Sequence, residues 1–116
     1  VLYEWHDLDA MLRYLIPELN RIGLKILDVS CARSDQFEIY FKTSGKVLRM
    51  IRSLWPHVII SGASLTPEQA DGEIKNGLIN LVTYGRFILA NPDFIERIRE
   101  GKELVPYNTE MLKTLY

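Results

Sequence analysis

Two short glycine-containing strings carry the chemistry that this sequence offers. Gly62-Ala63 follows the aliphatic run His57-Val58-Ile59-Ile60-Ser61, and Gly85-Arg86 follows Ile79-Asn80-Leu81-Val82-Thr83-Tyr84. A glycine lets its backbone N–H approach a ligand closely. Amides that open a helix add a dipole favourable to an anion, and an arginine beside them supplies a bidentate guanidinium that lysine does not reproduce. Together these groups suit a phosphate. The plainer reading is that both glycines only turn the chain and Arg86 is solvated; spacing alone does not separate the two.

The other reactive side chains are few. His6 precedes the first predicted helix, and His57 opens a strand at the end away from the glycine turns, so both read as surface or packing residues. Cys31 is the single cysteine, which excludes an internal disulfide and a CxxC metal knuckle. It follows a strand on the side of the glycine turns, but free cysteine is more often a small buried filler, and it is left out of the site. Asp28 faces either a barrel interior or a helix, and its plain reading is a hydrogen-bonded strand residue. No metal ligand and no catalytic residue is assigned.

Composition narrows the partners. Fourteen Lys and Arg against fifteen Asp and Glu leave a net charge of −1, which removes the electrostatic case for nucleic acid or an anionic membrane. With 47% apolar and 25% charged residues, the expectation is a soluble globular chain with a buried core. A length of 116 residues fits one small domain or part of a larger one. No apolar run approaches the roughly 18 residues of a membrane-spanning helix. The start, Val1-Leu2-Tyr3-Glu4-Trp5-His6-Asp7, lacks the basic and apolar regions of a signal peptide and a starting Met. We read it as a chain cut from something longer, in a reducing, cytoplasmic setting.

Alternating helices and strands must position the two turns. Leu8, Met11, Leu12, Leu15, Ile16, Leu19 and Ile22 recur at three and four, which predicts a helix from an Asp7 cap to a Gly23 stop, kinked at Pro17. Leu24 to Ser30 reads as a buried strand followed by a polar loop, Cys31 to Gln36, and Phe37 to Thr43 reads as loop. A second amphipathic helix starts at Ser44, with Val47, Leu48, Ile51, Leu54 and Trp55 on one side and Lys46, Arg49 and Arg52 on the other, and Pro56 ends it. His57 to Gly62 is a second buried strand. Thr66-Pro67-Glu68-Gln69 is a capping box that opens a third helix to Gly77, and Ile79 to Tyr84 is a third strand. Asn91-Pro92-Asp93 opens a last helix that buries Phe94, Ile95 and Ile98 and stops at Gly101. The fold class is therefore α/β with parallel strands and helices packed outside them; the spacing suits a (β/α) barrel, but three or four strands cannot close a ring that needs eight.

The stretch Ser61 to Tyr107 resembles the C-terminal part of the old yellow enzyme family. The likeness is carried by Tyr84-Gly85-Arg86-Phe87-Ile88-Leu89-Ala90-Asn91-Pro92-Asp93-Phe94, then Gly101, Leu104 and Tyr107. That family comprises FMN-dependent, NAD(P)H-oxidising (β/α)8 barrels that reduce activated alkenes. The YGRxxxANPD string is far more specific than a lone glycine motif, and the preceding elements fall in matching order.

The resemblance implies that residues 1–116 are the C-terminal portion of one FMN-binding barrel, a half-barrel beginning near its fifth strand. It implies that amides of Gly62, Ala63, Gly85 and Arg86 hold the FMN phosphate while the Arg86 side chain neutralises it. The family's flavin-ring ligands, substrate-orienting histidine pair and tyrosine proton donor belong to the first half and have no counterpart here. The family often places an aromatic pair shortly after the position of Tyr107. Asn108 to Lys113 has none, so no flavin contact is assigned to the tail. The expected partners are a small-molecule acceptor and either the missing N-terminal half or a second copy. The competing expectation is a non-catalytic half-barrel that serves as a phosphate-binding or structural module.

Overall fold

The computed structural model describes residues 6–29, 46–62 and 65–115. The readings made for Cys31, for the loops between residues 30 and 45, and for Ala63 lie outside the described residues. The chain divides into two compact units, residues 1–83 and 84–116.

In the first unit, helix α1 (Leu8–Arg21) leads to strand β1 (Ile26–Val29), helix α2 (Lys46–Leu54), strand β2 (Val58–Ser61), helix α3 (Pro67–Lys75) and strand β3 (Leu81–Val82). The strands form one parallel sheet in the order β1-β2-β3. Ile26 lies opposite Val58, Asp28 opposite Ile60, and Ile60 opposite Leu81. Backbone bonds from Asn80 to Ile59 (2.9 Å) and from Thr83 to Ser61 (3.0 Å) extend the β2–β3 pairing beyond the two formal residues of β3.

The predicted apolar stripes meet on one side of this sheet. Leu12 and Ile16 of α1, Leu48 and Ile51 of α2, Trp55, Ile59, Leu78 and Ile79 form a single buried core. Each such side chain contributes roughly 1.5–3 kcal/mol by leaving water. α1 runs continuously through Pro17. Asp7 occupies its N-cap position but makes no side-chain capping bond, because its backbone (φ −101°, ψ 20°) departs from the extended shape that aims a cap. The Thr66/Gln69 capping box forms as the sequence predicts, with Gln69 N–H donating to Thr66 Oγ1 at 3.2 Å and Thr66 N–H to Gln69 Oε1 at 2.9 Å. At the end of α1, Gly23 takes φ 94°, and Leu24 N–H reaches back to Leu19 O. That left-handed ending suits glycine, and the same pattern recurs at Gly77 and Gly101.

Among the described residues one face of the sheet is covered by helices and the inward face is open, the arrangement that a barrel piece with too few strands leaves. Ile59 is fully buried, and Leu27, Val29 and Val82 pack toward the core. The opposite face carries Ile26, Asp28, Val58, Ile60 and Leu81, with Ile26 57% and Leu81 56% exposed. Alternate residues point to opposite faces, and among the described residues the helices packed against the sheet lie on one of them.

The end of the sheet where β2 begins is closed by polar side chains. Arg52 donates to the carbonyls of Trp55 and His57 and to Asn80 Oδ1 (3.2 Å), and Asn80 Oδ1 also accepts from Ile59 N–H at 2.9 Å. Trp55 Nε1 donates to Val58 O at 3.0 Å. The His57 ring stands edge-on to Trp55, with Nε2 2.9 Å from Asn20 Oδ1.

In the second unit, helix α4 (Arg86–Ala90) and helix α5 (Phe94–Glu100) precede a short 3-10 helix (Thr109–Leu115). Tyr84, Phe87 and Phe94 form an aromatic cluster, with centroids 4.8–5.9 Å apart. The sequence reading did not include α4. The sequence pattern also places Asn91 at the start of the last helix, whereas Asp93 occupies the N-cap position of α5, with no side-chain capping bond, and Asn91 ends α4. Of the predicted apolar face of α5 only Phe94 is buried; Ile95 (62%) and Ile98 (43%) are exposed. A seven-residue helix resting one ring on the aromatic cluster has little more to bury.

Candidate functional site

The two glycine turns differ in what their own chain demands of them. Gly62 follows β2, and a side chain there would collide with Thr83: the Cβ position lies 2.5 Å from Thr83 O and still nearer Thr83 Oγ1. The close approach of the two strand ends therefore requires a glycine at Gly62 whether or not a ligand binds.

Gly85 is under no such constraint. Its φ of −91° and ψ of −70° are accessible to other residues. Among the described residues, no heavy atom outside its immediate neighbours lies within 4 Å of where its Cβ would stand. It is exposed, as is Arg86 beside it at the first position of α4. Its carbonyl accepts the α4 bond from Leu89 N–H at 3.0 Å. This is an open backbone turn beside a guanidinium, an arrangement that accepts phosphate or carboxylate oxygens.

Behind that turn stand groups the sequence reading did not single out as functional. Tyr84 anchors the preceding residue on Phe94, at 4.8 Å between centroids. Asn91, only 1% exposed, bonds through its carboxamide to Phe87 and Val105. Nearby, Arg97 Nε donates to Asp93 Oδ1 at 2.8 Å, a bond that holds the Asp93 carboxyl below its ordinary 3.8. Arg97 also donates to Glu103 O at 2.8 Å. An open groove in this unit, lined by Ile88, Pro92, Asp93, Phe94, Ile95 and Glu96, lacks both Gly85 and Arg86. Among the described residues no group of three or more His, Cys, Asp or Glu could hold a metal ion, and no helix is long and apolar enough to cross a membrane.

Residues 13–104 match the family model described as NADH:flavin oxidoreductase / NADH oxidase. The chain belongs to that family. Among curated relatives, it is 30% identical to a probable flavin mononucleotide-dependent alkene reductase of Leishmania infantum, over 84% of this chain and 25% of that protein. Among solved structures it resembles morphinone reductase in complex with tetrahydroNAD, with a TM-score of 0.69 and 26% identity over 89% of this chain and 26% of that one. It also shares the fold of the old yellow enzyme from Trypanosoma cruzi, with a TM-score of 0.74 and 24% identity over 91% of this chain and 27% of that one. The chain spans less than a third of the length of the curated relatives it matches. These likenesses bear out the old yellow enzyme resemblance and the parallel half-barrel fold class.

Proposed function

We propose that this chain is the C-terminal portion of a single FMN-binding (β/α)8 domain, and that the whole protein is an FMN-dependent NAD(P)H oxidoreductase acting on a small-molecule acceptor. Activated alkenes are the acceptor class favoured by the alkene reductase relative. In this reading Gly85 and Arg86, with Gly62 and Ala63 as the second contributor, bind the FMN phosphate.

The observation that carries the assignment is the open space over Gly85. Neither its backbone angles nor its described neighbours call for glycine, and a phosphate pressed against the backbone would. The donor set fits the group, since backbone N–H groups and a permanently charged guanidinium make charge-assisted bonds to phosphate oxygens.

When bound, FMN supplies the hydride chemistry between the nicotinamide and the acceptor. The residues of this chain anchor and orient. Arg86 neutralises the phosphate charge, and the amide of Gly85 fixes its position. The bare sheet face of Ile26, Val58, Ile60 and Leu81 becomes the inner wall of the barrel once the remaining strands pair with the sheet edges.

Anaerobic incubation with FMN, NADPH and an enone tests the proposal. The full-length protein is expected to oxidise NADPH and reduce the enone, whereas the isolated chain is not. Turnover by the isolated chain within tenfold of an ordinary enzyme median of about 10 per second contradicts the division of labour, and a full-length protein that neither retains FMN nor oxidises NAD(P)H contradicts the function.

A further inference from the structure

We propose that Asn91 is the positioning residue of the Gly85-Arg86 turn, a role that rests on the phosphate assignment above. Its carboxamide is buried, at 1% exposure, and spends both donors and an acceptor on backbone atoms. Nδ2 donates to Phe87 O at 2.9 Å and to Val105 O at 3.0 Å. Oδ1 accepts from Val105 N–H at 2.8 Å. The two Val105 bonds close a ring like that between neighbouring strand residues, so the side chain behaves as a peptide group pointing sideways from the end of α4.

α4 needs such an anchor. It has five residues, and isolated helices shorter than about 12 residues are marginal in water. One side of it rests on the aromatic cluster through Phe87, whose ring lies 5.8 Å from Phe94 and 5.9 Å from Tyr84. Ring contacts leave sliding and rotation about the helix axis loosely fixed. The Phe87 carbonyl, one residue beyond Arg86, receives bonds from both the backbone N–H and the side-chain Nδ2 of Asn91. Asn91 thereby ties the first turn of α4 to the backbone of Val105 and sets where the Gly85 and Arg86 amides stand. Arg97 grips the same segment at Glu103 O (2.8 Å) and spends its other bond on Asp93, which makes it the natural control.

A residue that positions a phosphate turn differs from one that merely stabilises the fold in which ligand it affects. FMN and riboflavin share the isoalloxazine ring and ribityl chain, and only FMN carries the phosphate. The affinities of the full-length apoprotein for FMN and riboflavin are therefore to be measured for wild type, Arg86→Ala, Asn91→Ala and Arg97→Ala. Asn91→Ser, whose single hydroxyl donor cannot keep both Nδ2 bonds, replaces the alanine variant if that variant does not fold. The expected result is that Arg86→Ala and the Asn91 variant each cut the preference for FMN over riboflavin by about tenfold or more, while Arg97→Ala leaves it within about twofold.

If Arg86→Ala collapses the preference and the Asn91 variant lowers both affinities equally or neither, the positioning role is wrong and the phosphate site stands. If Arg97→Ala collapses it as Asn91→Ala does, the effect belongs to the 103–105 segment and the assignment to Asn91 is overturned. If Arg86→Ala itself leaves the preference unchanged, the phosphate site fails and the role of Asn91 fails with it.

Discussion

Gly62 lies so close to Thr83 that a Cβ added to it would stand 2.5 Å from the Thr83 carbonyl oxygen. The neighbouring atom is backbone in a paired strand, where Thr83 N–H is bonded to Ser61 O at 3.0 Å, so it cannot turn aside. Gly62→Ala is expected to destabilise the protein by about 1–3 kcal/mol, the usual range for overpacking. Gly85→Ala, with open space ahead of it, is expected to stay within about 0.5 kcal/mol of wild type. Urea unfolding of both variants in the full-length protein checks the pair, and equal losses would show that the two turns are alike.

Gly72 sits inside α3, with nothing within 4 Å of its Cβ position among the described residues. An unstrained helix-interior glycine costs roughly 0.5–1 kcal/mol relative to alanine. Gly72→Ala is therefore expected to raise the unfolding midpoint, and a lower midpoint would mean that the position is crowded or its helix strained.

Asp93 and Arg97 pair across one turn of α5 at 2.8 Å. The side-chain hydrogen bond from Arg97 is the largest influence on the Asp93 carboxyl and lowers its pKa from 3.8. A carboxyl depressed in the folded state favours folding above its unfolded value, and that contribution fades as pH falls through the folded value. The stability difference between wild type and Asp93→Asn should therefore be constant near neutrality and shrink as pH drops below 3.8. A difference that grows on acidification would reverse the assignment.

The legible part of the fold was the part written in periodicity and punctuation. The stripes of α1 and α2, the Thr66/Gln69 capping box and the Gly23, Gly77 and Gly101 stops follow from local spacing, and each appears where the sequence puts it. That the inward sheet face stays open in this chain follows from a strand count too small to close a barrel. α4 escaped notice because its cap, Gly85, has no side chain to signal it. The role of Asn91 was hidden by its own neighbours, since Asn-Pro-Asp reads as a helix start while its partner Val105 lies 14 residues away. At the site, Gly85 and Arg86 were named from their types, but only the structure separates Gly62, which its own sheet requires, from Gly85, which it does not.

The bare face of the sheet leads to an expectation for the chain in isolation. Ile26 and Leu81 are more than half exposed, and monomers rarely leave apolar patches larger than a few hundred Å² uncovered. A piece of a barrel also leaves an edge strand at each side, with unpaired backbone groups. We expect the isolated chain to self-associate at micromolar concentration, and the full-length protein not to do so through this face. Light scattering distinguishes the cases, and a monodisperse monomer of the isolated chain contradicts the half-barrel assignment.

The phosphate assignment is tested most directly by the affinity of the full-length apoprotein for FMN before and after Arg86→Ala, read from quenching of flavin fluorescence. A hydrogen bond to a charged group contributes about 1.5–3 kcal/mol, so the substitution should weaken FMN binding about 10- to 150-fold and leave riboflavin binding unchanged. Equal FMN affinity in the two proteins would contradict the assignment.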